Sequence, residues 1–210
     1  MIKDQTHFEA PIILFGNGEI PTHEIPLFHL KNAKTILCAD GGTIQLAQLG
    51  FYPDIILGDL DSYKQSQYPV EIIQLKDQSK TDLQKCLDWC IENGISKLSL
   101  IGFSGKEDDH WMSTIWALAS YYEKIELTYY SNYSKIRCVN GIQKFDSIAG
   151  QIISIIPTKE KIKISVSGLK YIIKESELLP PSFGIRNKAL GDIFTIHSSG
   201  PVWLFQNHNT

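Results

Sequence analysis

PDIILGDLDS, residues 53–62, decides how this chain folds: a short apolar run, Ile55 to Leu57, ends in Gly58, Asp59, Leu60, Asp61 and Ser62. The run has the length and composition of a buried strand, and an open α/β sheet places its ligand crevice just beyond such strand ends. Residues two apart in extended chain project to the same side, so Asp59 and Asp61 can face one cation while Leu60 packs the other way. Two like charges on one side repel, and a divalent ion that also takes phosphate oxygens relieves that repulsion. A solvated acidic turn is the alternative.

The same design recurs outward from this stretch. Pro11 to Phe15, Thr35 to Ala39, Asp54 to Leu57, Val70 to Gln74, Lys97 to Ile101 and Ile125 to Tyr130 read as strands. Helical patterns lie between them at Thr43 to Leu49, Thr81 to Glu92 and His110 to Glu123. Strand alternating with helix predicts βαβ units and a mostly parallel sheet. Thr81 and Gln84 have the spacing of a capping box, and Leu83, Leu87 and Ile91 follow at four-residue steps.

Beyond Ser131 the pattern changes to strands separated by turn residues: Lys135 to Asn140, Gly150 to Ile156, Lys161 to Val166, Leu169 to Ile173, Ile193 to His197 and Val202 to Phe205. Asn140-Gly141 predicts a hairpin, and Ser167-Gly168 and Ser199-Gly200 predict turns. The expectation is an α/β domain over residues 1–131 and an all-β sandwich or barrel over 132–210. No linker rich in Gly, Ser or Pro separates them.

Composition narrows the function classes. With 20 basic and 23 acidic residues the net charge is -3, which gives no basic footprint for nucleic acid. The start, MIKDQTHFEA, lacks the apolar core of a signal peptide, and no later run is long enough to span a bilayer, so a cytoplasmic location without membrane attachment is expected. Cys38, Cys86, Cys90 and Cys138 have no CxxC spacing, and Cys86 and Cys90, one helical turn apart among apolar neighbours, read as buried thiols.

The remaining polar motifs also follow strands. Asp40 precedes Gly41 and Gly42, an arrangement that either caps the next helix or lets backbone amides approach a phosphate or ribose. Gly16-Asn17-Gly18 after the first strand has the same two readings. In DQSKTD, Asp77 to Asp82, an acid at a helix N-terminus is favourable on dipole grounds alone, while Lys80 can neutralise a phosphate. GFSGKEDDH, Gly102 to His110, joins a glycine loop with Gly105 and Lys106, suited to an anion, to Asp109 and His110, which either contact a substrate or cap a helix. Trp203 and Tyr171 can stack on a flat cation or pack in a core.

Taken in order, CADGG at Cys38 to Gly42, PDIILGDLDS, KTDLQKCL at Lys80 to Leu87 and the glycine loop ending in Asp109-His110 resemble the thiamine pyrophosphokinase family. GLKYIIKESELL, Gly168 to Leu179, followed by Asn187, is similar to that family's C-terminal domain. The resemblance implies an ATP-binding α/β domain, a C-terminal β domain that binds thiamine, a homodimer, and magnesium-dependent transfer of pyrophosphate from ATP to thiamine. It places Asp59, Asp61 and Asp82 on magnesium and the phosphates. Asp40, with Gly16, Asn17, Gly41, Gly42, Lys80, Gly105 and Lys106, falls to the nucleotide, and Asp109, Asn187 and Trp203 to the vitamin. The chain departs from the family's pattern at Glu107, where an arginine is usual, at Arg186, where serine precedes the asparagine, and at Thr114, where an asparagine is common. A nucleotide-binding homologue without thiamine turnover, or a pyrophosphokinase acting on another alcohol such as a pterin, is the alternative.

Overall fold

The computed structural model describes residues 8–59, 70–179 and 184–208. It divides into two compact units, Met1–Asn132 and Tyr133–Thr210.

The first unit runs β1 (Ile12–Phe15), α1 (Glu24–Lys31), β2 (Thr35–Ala39), a 3-10 turn (Asp40–Gly42), α2 (Thr43–Gln48), β3 (Ile55–Gly58), β4 (Glu71–Gln74), α3 (Asp82–Glu92), β5 (Lys97–Ile101), α4 (Asp108–Tyr121) and β6 (Glu126–Tyr130). Its six strands are all parallel, in the order β6-β5-β1-β2-β3-β4. Every residue of β1 and β2 is buried, as helices on both faces of a parallel sheet require, and this is why these strands are unbroken apolar runs. The polar sequence of β4, EIIQ, fits its place at the end of the order, where most of it is exposed. Ile13, Phe15, Leu30, Ile36, Leu46 and Ile101 join in the core on one face.

Helix α3 begins as its sequence predicts. The Thr81 hydroxyl accepts from the Gln84 N–H, and the Gln84 side chain accepts from the Thr81 N–H, closing a capping box. Leu83, Cys86, Leu87 and Cys90 form its buried stripe. Helix α1 has no counterpart in the sequence reading, because Pro26 near its start and weak segregation of apolar residues mask the helical period. Pro26 lies in the first turn, where its missing N–H breaks no helical bond, and the His23 ring accepts from the Ile25 N–H as a cap.

The second unit is antiparallel at every pairing: β7 (Ser134–Asp146), β8 (Ile152–Pro157), β9 (Lys163–Ser167), β10 (Ile173–Glu177), β11 (Asn187–Lys188) and β12 (Ile193–Asn207). Strand β12 pairs with β7 along its length, while its other edge pairs first with β9, through Thr195 to Ser198, and then with β8, through Val202 to Gln206. Phe145, Ile155, Ile164, Phe194, Ile196 and Leu204 fill the core.

Two local signals misled in this half. No hairpin forms at Asn140-Gly141: β7 runs straight through it, with Gly141 at φ 76° and the Asn140 side chain accepting from the Gly141 N–H. Ser199-Gly200 is likewise no turn but sits inside β12, where the register shifts between Ser198, opposite Gly141, and Val202, opposite Val139. Both pairs mark one bulge in a long two-strand ladder, which satisfies the same need for unusual backbone as a turn does. Ser167-Gly168 does end a strand, with Gly168 at φ 79°. The predicted strand at Leu169 to Ile173 is displaced: Leu169 makes an isolated bridge to Ala189, and β10 starts at Ile173.

Candidate active site

Within the first unit a cleft of about 610 Å³ opens beyond the C-terminal ends of β1, β2, β3 and β5. Four loops line it: Asn17-Gly18 after β1, Asp40-Gly41 after β2, Asp59 after β3, and Phe103 to Lys106 after β5. The first turns of α3 and α4 complete the wall. The cleft lies where the sheet order reverses, since β1 is flanked by β2 on one side and β5 on the other and their following loops diverge. Backbone bonds tie the two central loops together: the Gly16 N–H donates to the Ile101 carbonyl at 2.9 Å, and the Gly18 N–H to the Gly102 carbonyl.

Asp40 is buried at 4% exposure, and its carboxylate accepts from the Gly41 N–H at 2.6 Å. A Cβ on Gly58 would lie 2.6 Å from the Asp40 Cγ, so the carboxyl occupies the space that any other residue at position 58 would fill. That is the reason for a glycine at the end of β3. The neighbouring Cys38 thiol is pushed far above its ordinary pKa, by burial first and by the Asp40 charge second, so it is no nucleophile. Burial does the same to Cys86, and holds Cys90 at about 12.

Asp59 and Asp82 meet on one cation. The Lys85 Nζ stands 3.1 Å from Asp59 Oδ2 and 2.6 Å from Asp82 Oδ1. Lys85 is 5% exposed, an unusual position for a lysine. Burial works to lower its pKa, but the hydrogen bonds and charges of Asp82 and Asp59 outweigh it and the net shift is upward, so the ammonium persists. The sequence reading missed Lys85. At position 85, three residues after Asp82 and off the Leu83, Cys86, Leu87 and Cys90 stripe, the sequence reads as a solvated ion pair, and only the fold shows the lysine to be buried.

The other basic groups in the cleft are also engaged. Lys80 pairs with Asp77 at 3.3 Å and with Asp88 at 3.0 Å, and Asp88 accepts from the Tyr121 hydroxyl. Bonds from the Ser79 hydroxyl and N–H, then Lys80, hold the Asp77 carboxyl down at about 2. The Lys106 Nζ donates to Asn17 Oδ1 at 2.9 Å, and the Gln45 side chain donates to the same oxygen. Gly105 faces Glu19 across the cleft rim.

At the start of α4, one donor atom from each of Glu107, Asp109 and His110 lies within 4.8 Å of the others, and all three residues are exposed. The Asp109 carboxylate accepts from the His110 N–H, and Glu107 makes no side-chain cap bond. Thr114 is buried and its hydroxyl lies 3.1 Å from the Phe103 carbonyl and 3.0 Å from that of His110, tying α4 to the glycine loop.

Of the residues singled out in the sequence, Asn17, Asp40, Gly41, Asp59, Lys80, Asp82, Lys106 and Asp109 line this one cleft. Gly16 and Gly42 lie behind it, with a Cβ on Gly42 meeting the Gly16 carbonyl at 2.7 Å. Asp61 falls outside the described residues. Asn187 and Trp203 belong to the second unit and are buried there. The Asn187 side chain accepts from the Tyr171 N–H at 2.9 Å and donates to the Tyr171 carbonyl at 2.7 Å. Arg186, at φ 59°, donates its N–H to the Ser154 hydroxyl.

Comparison with known proteins points the same way as the cleft. Residues 28–129 match the family profile described as thiamin pyrophosphokinase, catalytic domain. The thiamine pyrophosphokinase of Bacillus subtilis (strain 168) is 28% identical over 151 residues, which cover 63% of this chain and 67% of the relative. The crystal structure of thiamine pyrophosphokinase from Bacillus subtilis superposes with a TM-score of 0.82 at 20% identity, over 95% of this chain and 99% of that one. The thiamin pyrophosphokinase of Candida albicans gives 0.80 at 18% identity, over 94% and 88% of the two chains. At those identities the structures speak for the fold, while the profile and the curated relative speak for descent. Together with the order of acids after strands β2 and β3 and at the start of helix α3, they make residues 28–129 similar to the thiamin pyrophosphokinase catalytic domain, on a fold shared with the solved thiamine pyrophosphokinases.

Proposed function

We propose that this chain transfers pyrophosphate from ATP to thiamine, giving thiamine diphosphate and AMP. The hydroxyethyl oxygen of thiamine bonds to the β-phosphorus of ATP as that phosphorus parts from the α–β bridging oxygen. AMP leaves with that oxygen, and the alcohol proton is released. The observation that carries the reading is the meeting of Asp59 and Asp82 on one positive charge at the floor of a cleft rich in anion-binding groups.

The same observation tests whether magnesium fits. Two carboxylate oxygens already gather round a single ammonium, and oxygen donors from a few carboxylates plus substrate phosphates are what magnesium takes. Asp59 and Asp82 would hold it, joined by Asp61 on the strength of the motif. The chemistry supplied there is neutralisation of charge on the β-phosphate. Asn17, Asp40 and Gly41 line the nucleotide's side, with Gly16 and Gly42 packed behind them. Lys80, Gly105 and Lys106 attend the phosphates, and Asp109 lies toward the acceptor. The cleft residues mainly position the reactants, which is where most of the rate in such a transfer arises.

The second unit is read as a β-sandwich that contributes Asn187 and Trp203 to the vitamin site, and the working form as a homodimer in the cytoplasm. Among the described residues no helix is long and apolar enough to cross a membrane.

Purified protein given ATP, thiamine and magnesium should release AMP and thiamine diphosphate in equal amounts, and neither when thiamine is left out. No AMP in the complete mixture would end this reading. Light scattering should return twice the 23.7 kDa chain mass.

A further inference from the structure

Lys85 has no place in the transfer reaction as described, yet it is the most deeply buried charged side chain of the cleft after Asp40. Its Nζ does not point at open cleft but lies between Asp59 and Asp82, the two acids read above as metal ligands. We infer that Lys85 is an internal counter-cation, a positioning residue that holds the acid pair together before a divalent ion arrives and competes with that ion for the same oxygens.

Three features carry this. The two contacts, 3.1 and 2.6 Å, engage one oxygen from each acid, so the ammonium occupies the side of each carboxylate that faces the other. Asp59 sits on a loop after β3 and Asp82 in the first turn of α3, so Lys85 joins two acids from separate elements whose like charges repel. Lys85 stands on α3 itself, three residues past Asp82 and next to Cys86, whose thiol contacts the Leu57 carbonyl of β3 at 4.0 Å. The helix therefore fixes the base of the lysine.

The arrangement has a cost that a purely structural lysine would not impose. A cation seated between two ligands must yield at least part of their charge when the metal binds, so it weakens metal affinity while it stabilises the metal-free protein. Lys85, once displaced, remains in the cleft beside the incoming phosphates.

The opposite signs of these two effects supply the test, which rests on the reading of Asp59 and Asp82 as metal ligands. Manganese alone, with no nucleotide, is titrated into the full chain and the free ion followed by electron paramagnetic resonance; melting of the metal-free protein is recorded alongside. Lys85→Met, of similar length and suited to burial, should bind manganese roughly tenfold more tightly, because one competing unit charge is gone. It should also melt several degrees lower without metal, and regain much of that loss when manganese is added. Lys85→Arg, which keeps the charge, should retain weak binding and near-normal melting, and serves if the methionine variant does not fold. In that event an arginine variant that binds manganese tenfold more tightly would overturn the inference. For folded Lys85→Met, affinity that is unchanged or weaker would overturn it also. Asp59→Asn separates the two readings: if it leaves manganese binding intact, the metal site itself is misplaced, whereas weakened binding in Asp59→Asn with no gain in Lys85→Met defeats the counter-cation alone.

Discussion

Gly58 and Gly141 are both strand glycines, one in each unit, and they are there for different reasons. At Gly58 the backbone is ordinary and the space is taken: the Asp40 carboxyl lies where a Cβ would go. At Gly141 nothing lies within 4 Å of that position, but φ is 76°, a backbone that only glycine adopts without strain. The parallel unit thus uses glycine to bring a buried carboxylate against a strand end, and the antiparallel unit uses it to shape a long ladder. Their polar side chains differ in the same sense. Asp59, Asp82 and Lys85 line a cleft, whereas Asn187 is buried against the backbone of Tyr171.

The strongest way to break this contrast is at the acids. Asp59→Asn or Asp82→Asn should cut turnover by about a hundredfold or more, the scale of lost metal and charge stabilisation, while circular dichroism stays native. Retained turnover in both would remove the cleft from the chemistry. Next comes Gly58→Ala, where a methyl cannot enter beside Asp40 without moving it: a loss of roughly 3 kcal/mol in urea unfolding is expected, together with weakened ATP binding. A variant as stable as the parent would mean that the space beside Asp40 is not needed.

Much of this contrast is legible in the chain, and the limits are instructive. The placement of Asp40 and Asp59 at strand ends is legible, because buried parallel strands are apolar throughout and the acid marks where each stops. Lys85 does not, since a lysine three residues from an aspartate on a helix reads as a solvated ion pair until the fold shows that this face is buried. Helix α1 is hidden by a proline that its first turn tolerates. In the second unit Asn140-Gly141 carries the signal of a turn, and local sequence cannot distinguish a turn from a bulge when both need the same positive φ. Only the partner strand, almost sixty residues later, decides between them.

Smaller effects sharpen the comparison further. Tyr129, beneath the cleft with its hydroxyl donating to the Ser104 Oγ at 2.6 Å, is raised from the ordinary 10 to about 12, chiefly by burial. A raised pKa favours the neutral ring in the folded state, so its stabilisation is complete below pH 10 and disappears as pH climbs from 10 to 12. Melting curves over that window should fall by the equivalent of about 2 kcal/mol more for the parent than for Tyr129→Phe, and parallel curves would show that the ring ionises freely. Least of all, Gly141→Ala should cost about 1 kcal/mol of backbone strain and leave turnover unchanged, since it meets no neighbour. A large loss of activity there would erase the division of labour between the two glycines.

The place of β1 in the sheet has a consequence for how the protein is made. Ile13 is flanked by Ile36 on one side and by Ser99 on the other, so a chain leaving the ribosome N-terminus first can lay β1 against β2 at once but must wait for β5. Until then β1 keeps an unpaired edge, and the loop that carries Asn17 has no Gly102 carbonyl to rest on. The side of the cleft proposed for the nucleotide is therefore among the last parts of this unit to be assembled. A nascent chain arrested before β5 emerges should hold folded β2 and β3 and yet bind no nucleotide, which ties the appearance of binding to the length of chain synthesised.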